Sequence, residues 1–493
     1  MTARFTDLAG PARDLGATAT AWGDQWWDPE VDLLWNPEGA FEDAPEPRHW
    51  HLVPQSAWYA LALMLRGEGD DRDRAHRVIN AVIDTQYNAP GHPWDGTFAR
   101  FLEWPDPPPD ARIWVDYDPN WRQFVGTTFS LILQLFDATL PDDLVLRMEV
   151  SIAHAVAGEV PDRVPPSYSN IALMKAWLEV EHGTRTGSPS IVESGENLAA
   201  AVVERFDRHG AFEEYNSPTY YGIDLYALRL WRTRSSSASL RAWGERIEEA
   251  LWTDVAAFYH AGLRNLCGPW SRSYGMDMGC YMGAMGLWVW AALGREVAPV
   301  PDLDGPFEHG HDLFLGGCAA LLGADIPPVA VAEFMELSGE RLVTRTVSSD
   351  PERVASAWIE PAVMMGAEAS GDGWSAWGQY HPVTVHWHLP GGGVGWLRLR
   401  HRAPVVAEVV RRVLTAVCRP HPRHGPQETT IEIHVPGIGV EAIDGTRWTF
   451  PGLRLDVEAT ARVAEVSVDG DHLTVHYEPV DADTTWRATV VDG

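Results

Sequence analysis

Lysine is almost missing from this chain: Lys175 is the single example among 38 basic residues, and every other positive side chain is an arginine. Codon usage accounts for that as readily as function does, although arginine is also the better fork for carboxylates. Positive charge as a whole is scarce, with 38 Lys and Arg against 69 Asp and Glu and a net charge of −31. That balance argues against nucleic acid and anionic membrane as partners, since both are bound through basic surface. An acidic substrate would need a local arginine cluster. Cysteine is scarce as well. Cys267, Cys280, Cys318 and Cys418 show no CxxC spacing, which excludes a disulfide scaffold and reads as buried thiols of a cytoplasmic protein. No apolar run approaches the roughly 18 uncharged residues of a membrane helix. The N-terminal MTARFTDLAGPARDLG lacks the basic segment and apolar run of a secretion signal. The expected location is cytoplasmic, which favours small imported substrates over intact polymers.

What is present is core-forming material. At 493 residues and 45% hydrophobic content the chain has enough for two large domains. The 24 tryptophans are far above ordinary usage, a pattern of carbohydrate-stacking clefts as well as of large cores. From Ala21 to about Leu293 the apolar spacing is helical, in at least nine segments joined by Pro- and Trp-rich loops. That number of helices with long decorated loops predicts hairpins closed into a toroid. After about Pro299 the pattern changes to short alternating runs separated by Gly- and Asp-rich turns, the spacing of a β-sandwich. The expected chain is multidomain α+β. An N-terminal (α/α) toroid of the incomplete (α/α)6 barrel type spans residues 1–325, and an antiparallel β-sandwich spans 335–493.

The densest polar chemistry lies in Asp207–Arg229, DRHGAFEEYNSPTYYGIDLYALR. Pro218 and Gly222 spoil regular helix there, and Ile223, Leu225, Tyr226 and Leu228 restart an apolar face. Upstream, PSYSNIALMKAWL places Ser169 at a helix N-cap and Asn170 in the first turn. With Ile171, Met174 and Leu178 on the buried side, Asn170 is expected near the exposed mouth of the helix. There it either binds a substrate carboxylate or serves as a second cap.

The order of that asparagine helix, then Gly-x-Phe-Glu…Pro-x-Tyr-x-Gly, then the arginine loop GPWSRSYG is similar to polysaccharide lyases with an (α/α) toroid and an antiparallel β-sandwich. These are the chondroitin/hyaluronate and heparinase-like groups. The resemblance implies an oligosaccharide lyase acting at a uronic acid. Asn170 would bind the uronate carboxylate, Tyr220 would act as acid/base, and Arg272 would complete the site. One departure is that Tyr215 stands three residues after Phe212, where the chondroitin-type motif has a histidine. His381, in WSAWGQYHPVTVHW, matches a histidine that heparinase-like lyases supply from the β domain; otherwise Tyr215 assists. Glu214, Arg122, Asn120, Asp118, Trp94, Trp121, Trp270, Tyr221, Tyr274 and His51 are the expected substrate-binding residues.

Two other readings compete. WVDYDPNWRQF offers Asp116 and Asp118, which with Glu213 or Glu214 would suit acid/base hydrolysis of a glycosidic bond. An Asx/Pro turn capping the next helix is the plainer role of those aspartates. A carbohydrate-binding protein without catalysis would keep the tryptophans and tolerate loss of Tyr220. For metals, the pairs His49 with His51 and His386 with His388, and the cluster Glu308, His309, His311 and Asp312, have zinc-binding residue types without a third ligand at a diagnostic interval. No cofactor and no catalytic metal is expected, with a structural metal in the β domain left open.

Overall fold

A computed structural model describes residues 3–37, 50–370 and 378–491. His49 and residues 374–377 of the WSAW stretch lie outside the described residues. Among the described residues, twelve α-helices occupy the N-terminal part and a fourteen-stranded antiparallel sheet the C-terminal part. This is the makeup of an (α/α) toroid followed by an antiparallel β-sandwich.

The helices come as hairpins with short links: Val53–Arg66 with Asp71–Asp84, Trp121–Phe136 with Asp142–Ala157, and Ser169–Thr186 with Pro189–Asp207. Glycine ends several of them. Gly67 and Gly187 adopt left-handed φ values of 63° and 66° at their C-termini, the conformation that satisfies the last carbonyls without a Cβ penalty. The helix Gly10–Trp26 was not expected, because Gly10, Gly16 and Gly23 weaken its propensity. Packing overrides propensity there: a Cβ at Gly16 would lie 2.6 Å from the Phe5 ring, and one at Gly23 would overlap the Tyr59 ring.

The chain divides into two compact units. One comprises Met1–Arg205, Gly222–Glu249 and Tyr281–Asp325; the other comprises Phe206–Tyr221, Ala250–Cys280 and Ile326–Gly493. Two segments drawn in sequence as part of the helical domain therefore belong with the strands. In the strand unit, Arg341–Ser349, Glu352–Glu360 and Val363–Ser370 pair in succession, and the ladder continues through Val383–His388 and Val394–His401. Leu397 faces Val385 on one side and Ile433 on the other, so a central layer of aliphatic residues forms with Trp387, Trp448 and Trp486. The strand Val363–Ser370 escaped the sequence reading because nearly every residue in it is buried, leaving no polar alternation to detect. The helix Ala238–Phe258 ends where Tyr259–His260 turns back to pair with Asn265–Leu266.

Candidate active site

In the strand unit the residues before Tyr220 are folded by side-chain hydrogen bonds rather than by a regular ladder. Asn216 holds a left-handed φ of 53°, which asparagine tolerates better than most residues. From there its Nδ2 donates to the carbonyls of Cys267 at 2.7 Å and Pro269 at 2.9 Å. Ser217 Oγ donates to the Arg272 carbonyl and accepts from the Tyr220 N–H at 3.0 Å. The Asn-Ser pair of the motif thus fastens the Tyr220 segment to the arginine loop. That loop runs beside Gln379–His381: Trp270 and His381 exchange backbone hydrogen bonds at 3.1 and 2.9 Å, and Ser273 N–H donates to the Gln379 carbonyl at 2.9 Å.

Those supports place one guanidinium in a fixed setting. Arg272 donates from Nε to Gln379 Oε1 at 2.9 Å, from Nη1 to Glu214 Oε1 at 2.7 Å, and from Nη2 to the Tyr220 hydroxyl at 2.6 Å. Its central carbon lies 3.7 Å from the centre of the Tyr220 ring. The Tyr220 hydroxyl is also 2.7 Å from that of Tyr274, which is 40% exposed and opens the cluster to solvent. Burial works against the Arg272 charge, but Tyr220, Glu214 and Tyr274 more than offset it and raise the guanidinium above its ordinary value. It stays cationic at every working pH. The arrangement is a permanent positive charge on a phenol oxygen, with a second phenol leading outward.

Of the residues expected from sequence, Tyr220, Arg272, Glu214 and Tyr274 are brought together in this cluster. Gln379 was missed. It lies in a turn just before His381, where no periodicity marks a functional face. His381, expected to assist catalysis, is instead fully buried, with Nε2 3.1 Å from the Ser273 carbonyl. Burial first, and then the nearby Arg398 charge, hold its pKa well below the ordinary histidine value. It is a neutral support of the arginine loop. Tyr215 is likewise enclosed, its ring 6.4 Å from Tyr221 and 6.0 Å from Phe258; burial and the Asp254 charge push its phenol well above the ordinary value. Tyr221 and Trp270 are buried too, and Trp270 packs on His381 and His386. Trp270 is therefore core rather than a sugar platform. His386 turns Nε2 to the Met276 carbonyl at 2.9 Å.

The helical unit holds the remaining candidates. Asn170 is buried, not at an exposed helix mouth, and Tyr168 rather than Ser169 is the N-cap of the helix Ser169–Thr186. The reason is that the first turn, from Ser169 to Met174, is enclosed throughout. Arg122 is fully buried, and its guanidinium is spent on the carbonyls of Pro93, Asp95 and Pro119. Burial pushes it down to about 10. Asp118 accepts the Asn120 N–H at 2.8 Å, the plainer Asx-turn role. Asn120 joins the Tyr168 hydroxyl at 2.9 Å to Arg163 at 2.8 Å. Asp116 accepts the Arg112 N–H at 2.7 Å. Trp121 packs its ring 5.1 Å from Phe124. Trp94 lines a cavity of about 430 Å³ with Tyr87, Trp104 and Asp106.

His51 is buried between two carboxylates, with Nδ1 on Glu103 and Nε2 3.1 Å from Asp28 Oδ2. Burial lowers its pKa, but the hydrogen bonds to Glu103 and Asp28 and their charges win, and the net direction is upward. A folded-state value above the unfolded one means the cation stabilises the fold. That stability is fully present below about pH 6.5 and is lost as pH rises through the folded value. A His51→Gln variant is expected to melt below the parent at pH 5.5 and to approach it at alkaline pH, as read by thermal melts across that range.

Gly222, the last residue of Pro-x-Tyr-x-Gly, belongs to the helical unit, where its carbonyl accepts the Trp288 indole N–H at 2.8 Å. A Cβ there would lie 2.5 Å from Met285 N. Gly222→Ala is expected to destabilise the protein by about 1–3 kcal/mol, the ordinary cost of overpacking; a denaturation midpoint unchanged from the parent would contradict this close approach.

Fold and cluster together define a chain of the (α/α) toroid and β-sandwich class. It belongs to the family described as "Domain of unknown function (DUF8769)", whose model matches residues 13–324. Among curated proteins none matches the sequence. Among solved structures it is similar to the chondroitin AC lyase of Streptomyces coelicolor A3, at 12% identity and a TM-score of 0.47, covering 97% of this chain and 79% of that one. It is also similar to a Paenibacillus xanthan lyase, at 10% identity and a TM-score of 0.42, covering 99% and 57%. A mutant of a heparan sulfate lyase from Pedobacter heparinus gives 8% identity and a TM-score of 0.33, covering 99% and 84%.

Proposed function

We propose that this protein is a carbohydrate-active enzyme that cleaves oligosaccharides at a uronic acid by β-elimination. The observation that carries the reading is the Tyr220 hydroxyl, 2.6 Å from an Arg272 guanidinium nitrogen and 2.7 Å from the hydroxyl of solvent-facing Tyr274. A guanidinium donating to a phenol oxygen stabilises negative charge on it, which is what a tyrosine needs to serve as a base near neutral pH. In the proposed reaction the Tyr220 oxygen takes the C5 proton beside the uronate carboxylate. The released electron pair forms the C4–C5 double bond, and the C4–O bond to the leaving sugar breaks. The Tyr220 phenol then returns a proton to the leaving oxygen. Arg272 is already paired with Glu214, so its role is to hold and polarise Tyr220 rather than to act as the main clamp on substrate.

Glu214 is committed to that ion pair, which makes it a positioning residue and a poor general acid for hydrolysis. The test is incubation with a panel of uronate and neutral oligosaccharides. Ultraviolet absorbance of the 4,5-unsaturated product is recorded beside a reducing-end assay. Absorbance rising in step with reducing ends is expected with at least one uronate substrate; reducing ends without the chromophore would sink the lyase reading in favour of hydrolysis.

A further inference from the structure

We propose that His309, His311 and Asp312 form a binding site for a divalent transition metal, zinc in the first place, in the helical unit. One ligand atom from each of the three lies within 4.8 Å of the others. The two imidazole centroids are 5.1 Å apart, and His311 Nε2 stands 3.6 Å from Asp312 Oδ1. Two imidazoles and a carboxylate are donors that zinc accepts, whereas calcium and magnesium are held through oxygen. Ligands about 2.1 Å from a tetrahedral zinc stand about 3.4 Å from one another, so side-chain rotation is enough to close the trio. The fourth position falls to water or a further ligand.

The backbone already presents these side chains together. His309 has a left-handed φ of 57°, a conformation in which histidine is enriched among non-glycine residues. It leads into the 3-10 helix Gly310–Leu315, and the turn closes through Asp312 N–H on the His309 carbonyl at 3.0 Å. Before the turn, Met282 N–H donates to the Glu308 carbonyl at 2.9 Å. Within it, the Trp22 indole N–H donates to the Gly310 carbonyl at 3.1 Å. A Cβ at Gly310 would meet both Pro37 and Trp22 at 3.3 Å, so the turn is packed from that side as well. His311 is buried, with 8% exposure, which shields a bound ion from water on one face. In sequence, the spacing of His309, His311 and Asp312 resembles no zinc motif, because in a regular helix His309 and His311 diverge. The left-handed residue brings them onto one side. An ion held here would lock the Glu308–Asp312 turn and add its binding free energy to folding.

The test uses the full chain, stripped with a chelator, dialysed and titrated with zinc chloride by calorimetry, with thermal melts in parallel. One equivalent of saturable binding and a raised Tm are expected. His309→Gln and Asp312→Asn, chosen over the more buried His311, should melt like the metal-free parent. Each should weaken zinc by more than the ~10–100-fold typical of losing an outer-shell partner. The pair of half-buried His421 and exposed His424, with rings 4.4 Å apart, is the control, and replacing both by alanine should leave zinc binding unchanged. Absence of saturable binding, binding indifferent to His309→Gln and Asp312→Asn, or binding lost only in the His421/His424 variant would overturn the proposal.

Discussion

Tyr220→Phe is expected to lower turnover on the responsive uronate substrate by about 10²–10⁴-fold, the usual contribution of a positioned general acid/base. The substitution removes only the hydroxyl. The ring, its stacking under the Arg272 guanidinium and the helix start at Tyr220 all remain, so melting temperature and substrate affinity should change little. That separation is the diagnostic: kcat falls while KM and Tm hold. Tyr274→Phe should cost less, because its hydroxyl touches the base rather than the substrate in this account. A Tyr220→Phe enzyme with parental turnover would move the base elsewhere, whereas a parent protein that turns over no substrate at all would agree with a binding protein.

The second large effect is on stability. Arg353 is 1% exposed and Glu368 fully buried, and they meet in a two-pronged pair, Nε to Oε1 at 2.8 Å and Nη2 to Oε2 at 3.1 Å. Arg353 Nη1 also donates to the Glu213 carbonyl at 2.9 Å, and the Tyr380 hydroxyl donates to Glu368 at 3.1 Å. Truncating one partner leaves an uncompensated buried charge, for which about 3–5 kcal/mol is the measured scale. Arg353→Ala is therefore expected to lower the unfolding free energy by that amount in denaturant titrations. The double variant Arg353→Met with Glu368→Leu, which removes both charges, should recover a large part. A single-variant loss under about 1 kcal/mol would mean that the carboxyl relaxes to water or is neutralised. Because Arg353 also holds the Glu213 carbonyl, the single variant should depress activity through the segment that carries Glu214 and Tyr220.

Much of the architecture was legible because it rests on periodicity. The helical hairpins and strands such as Val383–His388 and His472–Tyr477 follow from apolar spacing. Elements that broke the pattern did so for local reasons. Glycines in Gly10–Trp26 are there for the Phe5 and Tyr59 rings, and Val363–Ser370 is buried on both faces. The cluster was legible in part. Tyr220 and Arg272 carry recognisable local motifs, and their contact follows from the Asn216 and Ser217 side chains that tie the two loops. What sequence alone did not reveal was burial. Asn170, His381, Tyr215 and Trp270 have polar or platform chemistry by residue type, yet each is enclosed by neighbours distant in sequence. Residue type states what a side chain can do; whether it meets solvent depends on tertiary packing that no local window contains.

Product mass decides whether Tyr220 acts as the base of an elimination. Mass spectrometry of the cleavage products of a defined uronate oligosaccharide distinguishes the two chemistries by one water. Elimination predicts fragments whose masses together equal the substrate, with the uronate fragment unsaturated, and predicts that the Tyr220→Phe protein yields almost none. Fragments that together equal substrate plus water would contradict the account and identify a hydrolase.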